Sequence, residues 1–196
     1  MNSRRKHPTR MTTALLARIK HFVVVDAVGI SAVRGQHKGT RRAVIKYLKR
    51  IDLSHIPRRS ASFTKWLDAQ TECLRQRLPG AKYSNLKLWG VARKVLNLFL
   101  RGCLYNHYLH GKYRLDRIQT LLEIPLDSVV ANKLKDKAAR ADKASLPRRW
   151  PGLKHLTHAD SDQYQKYAAE LAKKMNLPAI VFLDNYLWLA NRGGRK

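Results

Sequence analysis

The segment that most restricts the fold is LWGVARKVLNLFL, Leu88 to Leu100. It reads as the start of a buried helix, because apolar side chains fill nearly every position. Two cations, Arg93 and Lys94, stand inside it just past Gly90. A lysine in such a run is a solvated charge, a phosphate clamp or a nucleophile, and the surrounding sequence has to decide among them.

The flanking segments also read as helices. Leu15, Leu16, Ile19, Phe22 and Val23 recur at roughly helical spacing within 9–28, although Phe22 to Val25 is rich in β-branched residues and blurs the end of that element. TRRAVIKYLKRI, 40–51, is a basic amphipathic helix with Val44, Ile45, Leu48 and Ile51 inward. Ser60 or Ser62 can cap a helix reaching about Leu78, and Pro79-Gly80 stops it. The apolar run then belongs to a helix from about Ser84 to His107, followed by a polar insert, HGKYRLDRIQ. A helix over 128–143 is capped by Asp127 or Ser128. SLPRRWPG is a turn, Asp160 starts another helix, and Pro178 sits near the first turn of the last one. With no internal repeat and no hairpin of strands, the class is all-α. The expected organisation is a flexible basic arm over 1–10 and a single two-lobed helical domain over 11–196, with a cleft near 84–130.

Charge narrows the function. The chain of 196 residues carries 40 Lys plus Arg against 13 Asp plus Glu, a formal +27. Self-repulsion of that size is best tolerated with a polyanion bound, and DNA or RNA is the first expectation. The run FVVVDAVGI is too short and interrupted to span a bilayer, and no segment reads as a membrane-surface anchor. Two cysteines, Cys73 and Cys103, do not make a disulfide framework and suit a reducing interior. These features fit a cytoplasmic, nucleoid-associated monomer without a membrane partner.

Two motifs carry the chemistry: Leu88-Trp89-Gly90-Val91-Ala92-Arg93-Lys94-Val95, and Ile124-Pro125-Leu126-Asp127-Ser128-Val129. Together they resemble the helix-hairpin-helix DNA glycosylases, whose hairpin reads approximately L-P-G-V-G-x-K-V-A and whose later segment reads V-P-V-D-T-H-V. Leu88, Gly90, Val91, Lys94, Val95, Pro125, Asp127 and Val129 match. Ala92 replaces the second glycine and Trp89 the proline, so the hairpin element is atypical. The long interval between Lys94 and Asp127 is similar to the archaeal 8-oxoguanine glycosylase branch. The resemblance implies a DNA glycosylase with associated lyase activity that acts on double-stranded DNA carrying a damaged or modified base. Lys94 would be the nucleophile. Asp127 would move protons and steady positive charge on the sugar. No cofactor is implied, and two cysteines cannot supply the four ligands of the iron–sulfur cluster found in one branch. The chemistry asks for the same groups: a carboxylate stabilises an oxocarbenium-like transition state, and a desolvated amine attacks C1′ to form a Schiff base.

Further residues follow from that reading. Gly90, Ala92, Arg93, Lys87, Arg101, Lys133, Arg148 and Arg149, with Lys135 nearby, are candidates for phosphate contact. A flipped base needs flat or apolar walls. Trp89, Trp150, Tyr105 and Tyr108 are candidates, while Trp66 and Trp188 fit core packing better. Asp184 and Asn185, a polar interruption in the last helix, either read a base edge or face water. Against all this stands a plainer reading. Lys87, Lys94 and Arg101 recur every seven residues and form one helical stripe, which suits a solvated face or a non-catalytic basic helical protein that binds nucleic acid. The pairs His107/His110 and His155/His158 lack the further ligands of a metal site. No acidic cluster suggests a magnesium-dependent nuclease.

Overall fold

The structure, a computed structural model, describes residues 11–29, 32–83, 87–141, 146–147 and 149–189. The N-terminal arm and Arg148 lie outside the described residues. Among the described residues every regular element is helical.

The eight α-helices are α1 Thr13–Ala27, α2 Thr40–Leu48, α3 Ser60–Arg75, α4 Trp89–Tyr105, α5 His107–Tyr113, α6 Ser128–Arg140, α7 His158–Lys174 and α8 Leu183–Leu189. The β-branched run of α1 stays helical through Ala27, capped at its start by Thr12 Oγ1, which accepts from the Leu15 amide at 3.2 Å. α3 begins at Ser60 with Arg59 in the capping position, and no side chain caps it. The polar insert expected over HGKYRLDRIQ, 110–119, is instead helical. It lies in α5, capped by Asn106 Oδ1 on the Leu109 amide, and a 3-10 segment, Leu115–Leu121. Their inward residues Leu109, Leu115 and Ile118 are enough to seat them. α7 starts earlier than Asp160, at a reciprocal capping box of Thr157 and Asp160.

The buried run is the centre of the molecule. α4 packs against α1, α2, α3, α5 and α7, and its side chains from Gly90 to Asn97 are all buried. It begins at Trp89 rather than Ser84. Leu88 adopts a left-handed conformation, φ 54°, and the amides of Lys87 and Leu88 both donate to the Lys154 carbonyl, at 3.0 and 3.2 Å. A long-range bond, invisible to local pattern, thus sets the start of the helix.

The buried apolar side chains form two clusters. The larger unites α1 to α5 with Leu115, Ile118, Leu122 and Val181. The smaller unites Val130, Leu134, Tyr164, Ala168, Leu183 and Leu187 of α6, α7 and α8 with Ile124, Leu126 and Leu156 outside those helices. The chain crosses between them at 122–127. Gln165 clasps this extended crossing: its Oε1 accepts from the Ile124 amide at 3.0 Å and its Nε2 donates to the Ile124 carbonyl at 2.9 Å. The clasp satisfies backbone groups that no helix can serve there.

Candidate functional site

Three basic residues of α4 meet three acids, two in the crossing and one on α8. Arg93 pairs with Glu123, Lys94 with Asp127, and Arg101 with Asp184. The first pair is structural. Arg93 Nε and Nη2 donate to the two oxygens of Glu123 at 2.8 and 2.6 Å, while Nη1 donates to Asp68 Oδ1 and Thr71 Oγ1. Asn97 Nδ2 also donates to Glu123, at 2.8 Å. Arg93 is therefore a buried tie between α3, α4 and the crossing, and is not exposed to phosphate.

The other two pairs lie in the wall of a cavity of about 750 Å³. Asp127 is the N-cap of α6. Its Oδ1 accepts from the amides of Val129 and Val130, both at 3.0 Å. Its Oδ2 is left to face Lys94 Nζ at 3.2 Å. One oxygen fixes the carboxylate to the helix and the other is presented to the site. The Lys94 side chain is only 7% exposed, so the solvated-stripe reading does not describe it. Two turns on, Arg101 is half-buried in the same wall. Burial draws its guanidinium down from the ordinary value, while Tyr105, Asp26 and Asp127 act the other way.

Arg101 holds buried Asp184, whose Oδ1 has no hydrogen-bond partner. An unpartnered acceptor buried in a cavity wall is costly unless a ligand or water serves it. Tyr105 sits at the rim and accepts from Asn185 Nδ2 at 3.1 Å. Burial pushes the Tyr105 phenol up, with Arg101 opposing. Phe22 and Trp188 complete an aromatic rim; Phe22 is 74% exposed.

Gly90 and Ala92 are buried and present no surface to phosphate; a Cβ on Gly90 would lie 2.6 Å from Leu156 Cβ and 2.7 Å from the Leu153 carbonyl oxygen. Trp89 is not at the cavity; it stacks beneath the Arg93 guanidinium, 5.2 Å away, and beside His158. Trp150 is also elsewhere, edge-on to Tyr164 in the smaller cluster. Asn185 is exposed and bonds Tyr105 without lining the cavity. Lys87 and Arg149 are exposed and Lys133 half-buried. Trp66 packs on Phe63 as expected, whereas Trp188, expected in the core, is 41% exposed at the cavity. Tyr108 is exposed and does not line it. Phe22 and Asp26, which also line the cavity, come from α1, a helix that no motif connected to the site.

Among the described residues no three His, Cys, Asp or Glu side chains are grouped so as to hold a metal ion. His110 Nδ1 instead bonds the Leu104 carbonyl, and His158 lies between Asp68 and Asp162. No described helix is long and apolar enough to cross a membrane. No family model matches this sequence, and neither a curated protein nor a solved structure is significantly similar to it.

Proposed function

We propose that the chain is a DNA glycosylase with associated lyase activity, acting on a damaged or modified base flipped out of duplex DNA. The observation that carries this reading is the 3.2 Å pairing of Lys94 Nζ with Asp127 Oδ2 in a cavity wall. The resemblance to the helix-hairpin-helix glycosylases singles out the same two residues. The cavity falls within the ~300–1,000 Å³ typical of small-molecule sites, roomy enough for a nucleoside. Phe22, Tyr105 and Trp188 offer flat faces at its rim, and Asp184 Oδ1 offers an acceptor for an N–H on the base edge.

In this reading Lys94 gives its proton to Asp127 and attacks C1′ as the neutral amine. The C1′–N bond to the base breaks, its electron pair leaves with the base, and the base takes up a proton. Opening of the sugar ring yields an imine on Lys94. Proton removal at C2′ then expels the 3′-phosphate and nicks the strand, and hydrolysis of the imine restores Lys94. Asp127, anchored through Oδ1, gives the proton it took from Lys94 to the departing base and is then again an anion beside the cationic imine that forms.

A competing reading is a non-catalytic nucleic-acid-binding protein. What favours it is that Arg93–Glu123 and Arg101–Asp184 also join α4 to the acids beyond Leu122, so that Lys94–Asp127 would be one more strut. A panel of duplexes separates the two, each holding one modified base and one holding an abasic site, with release and scission measured. The enzyme reading expects scission at the abasic site, lost in Lys94→Ala and kept in the exposed-surface variant Lys166→Ala. Salt-sensitive binding with neither base release nor scission anywhere in the panel rejects it.

A further inference from the structure

We propose that the outer face of α2 binds the phosphate backbone of a second stretch of duplex DNA, apart from the stretch served by the cavity. α2 turns Val44 and Leu48 inward. Arg42 and Lys46 lie four apart on one face of α2, and Lys49 and Arg50, just past its last residue Leu48, extend this basic stripe. All four are exposed. Arg77, beyond the end of α3, joins the stripe by lining a depression with Lys46, Tyr47 and Arg50. Its guanidinium lies 5.4 Å from the Tyr47 ring centroid.

Two observations mark this surface as built for a polyanion. First, its charge is unbalanced. The cations of α4 each have a carboxylate, as does Arg75 with Glu72. Among the described residues no carboxylate pairs with Arg42, Lys46, Lys49 or Arg50. Like charges four apart destabilise a helix, so α2 carries a cost that bound phosphate would offset. Second, the spacing fits. From Arg42 to its end at Leu48, α2 spans about 9 Å, Lys49 and Arg50 follow in the turn beyond it, and about 9 Å of duplex axis presents about three phosphates on each strand.

The surface does not suit a membrane. A helix lying on a bilayer needs a free apolar face. The apolar face of α2 is spent on α1 and α4, and none of the large exposed hydrophobic residues lies on α2. No α2 residue lines the cavity. The proposal therefore does not depend on the chemistry at Lys94.

The test uses the full chain with unmodified DNA. In a bridging assay, bead-tethered duplex and protein capture a second, labelled duplex. In parallel, affinity for a long unmodified duplex is measured against salt. The variant is Arg42→Gln/Lys46→Gln/Lys49→Gln/Arg50→Gln. The expected result is loss of bridging and a log–log salt slope flatter by about 3. Scission of a short abasic duplex by the same variant should be unchanged, which separates failure here from failure of the glycosylase reading. If the fourfold variant does not fold, the pairs Arg42→Gln/Lys46→Gln and Lys49→Gln/Arg50→Gln each should remove about half of the slope change. The proposal is overturned if wild type does not bridge, or if folded variants keep both the slope and the bridging. It is equally overturned if the variants lose binding to vesicles rich in anionic lipid while duplex binding stays intact.

Discussion

Arg93→Ala should be among the most damaging single changes in this protein, and its cost follows from geometry. The Arg93 side chain is 5% exposed and Glu123 is 19% exposed. The substitution removes a two-pronged pairing with Glu123 and the bonds to Asp68 and Thr71 together. Asp68, 38% exposed, loses little because water reaches it. Glu123 is the expensive remnant, a largely buried carboxylate left with Asn97 alone. Unpairing a buried ion in this way costs about 3–5 kcal/mol. In a chain of this size that lowers the midpoint of thermal unfolding by roughly 6–20 °C. Melting followed by far-ultraviolet circular dichroism measures it. Arg93→Met/Glu123→Leu supplies the control: removing both charges and filling the space should recover most of the loss. Melting of Arg93→Ala within about 2 °C of wild type, the range of an ordinary surface change, would mean that Glu123 is not left unpaired and buried.

Other outcomes follow from particular contacts. Gly90→Ala should lose about 1–3 kcal/mol in urea unfolding, because its methyl group collides with Leu156 and the Leu153 carbonyl. Asp127→Asn should unfold about 1 kcal/mol above Asp127→Ala, since asparagine can still cap α6. Both should lose abasic-site scission, which needs the charge rather than the cap. In the native state only Cys73 should react promptly with a thiol-specific reagent. Cys103 is buried and burial raises its thiol, so a second equivalent should appear only on unfolding.

Much of the fold was legible because the signals are local. The alternation of apolar and basic residues in α2, and Asp127 ahead of α6, speak within one helical turn. The start of α4 was not, because the Lys154 carbonyl that holds Lys87 and Leu88 is far along the chain. α5 and the 3-10 segment after it were obscured because few apolar positions anchor them. At the candidate site, two short motifs in the right order pointed to Lys94 and Asp127, whose side chains meet. The destination of Arg93 was not, since the same run of residues suits a phosphate contact or a buried tie, and only Glu123, in the crossing, distinguishes them. Phe22, Asp26 and Trp188 were missed at the cavity for a related reason: helix packing, not sequence spacing, brings α1 and α8 to α4.

The account rests on Lys94 being the amine that reaches C1′. The direct measurement is borohydride reduction of the protein with abasic duplex, followed by peptide mass spectrometry of the trapped product. The account predicts one dominant nucleotide adduct, on the peptide bearing Lys94, absent in Asp127→Ala. An adduct spread over surface lysines, or none under conditions where the duplex is bound, contradicts it.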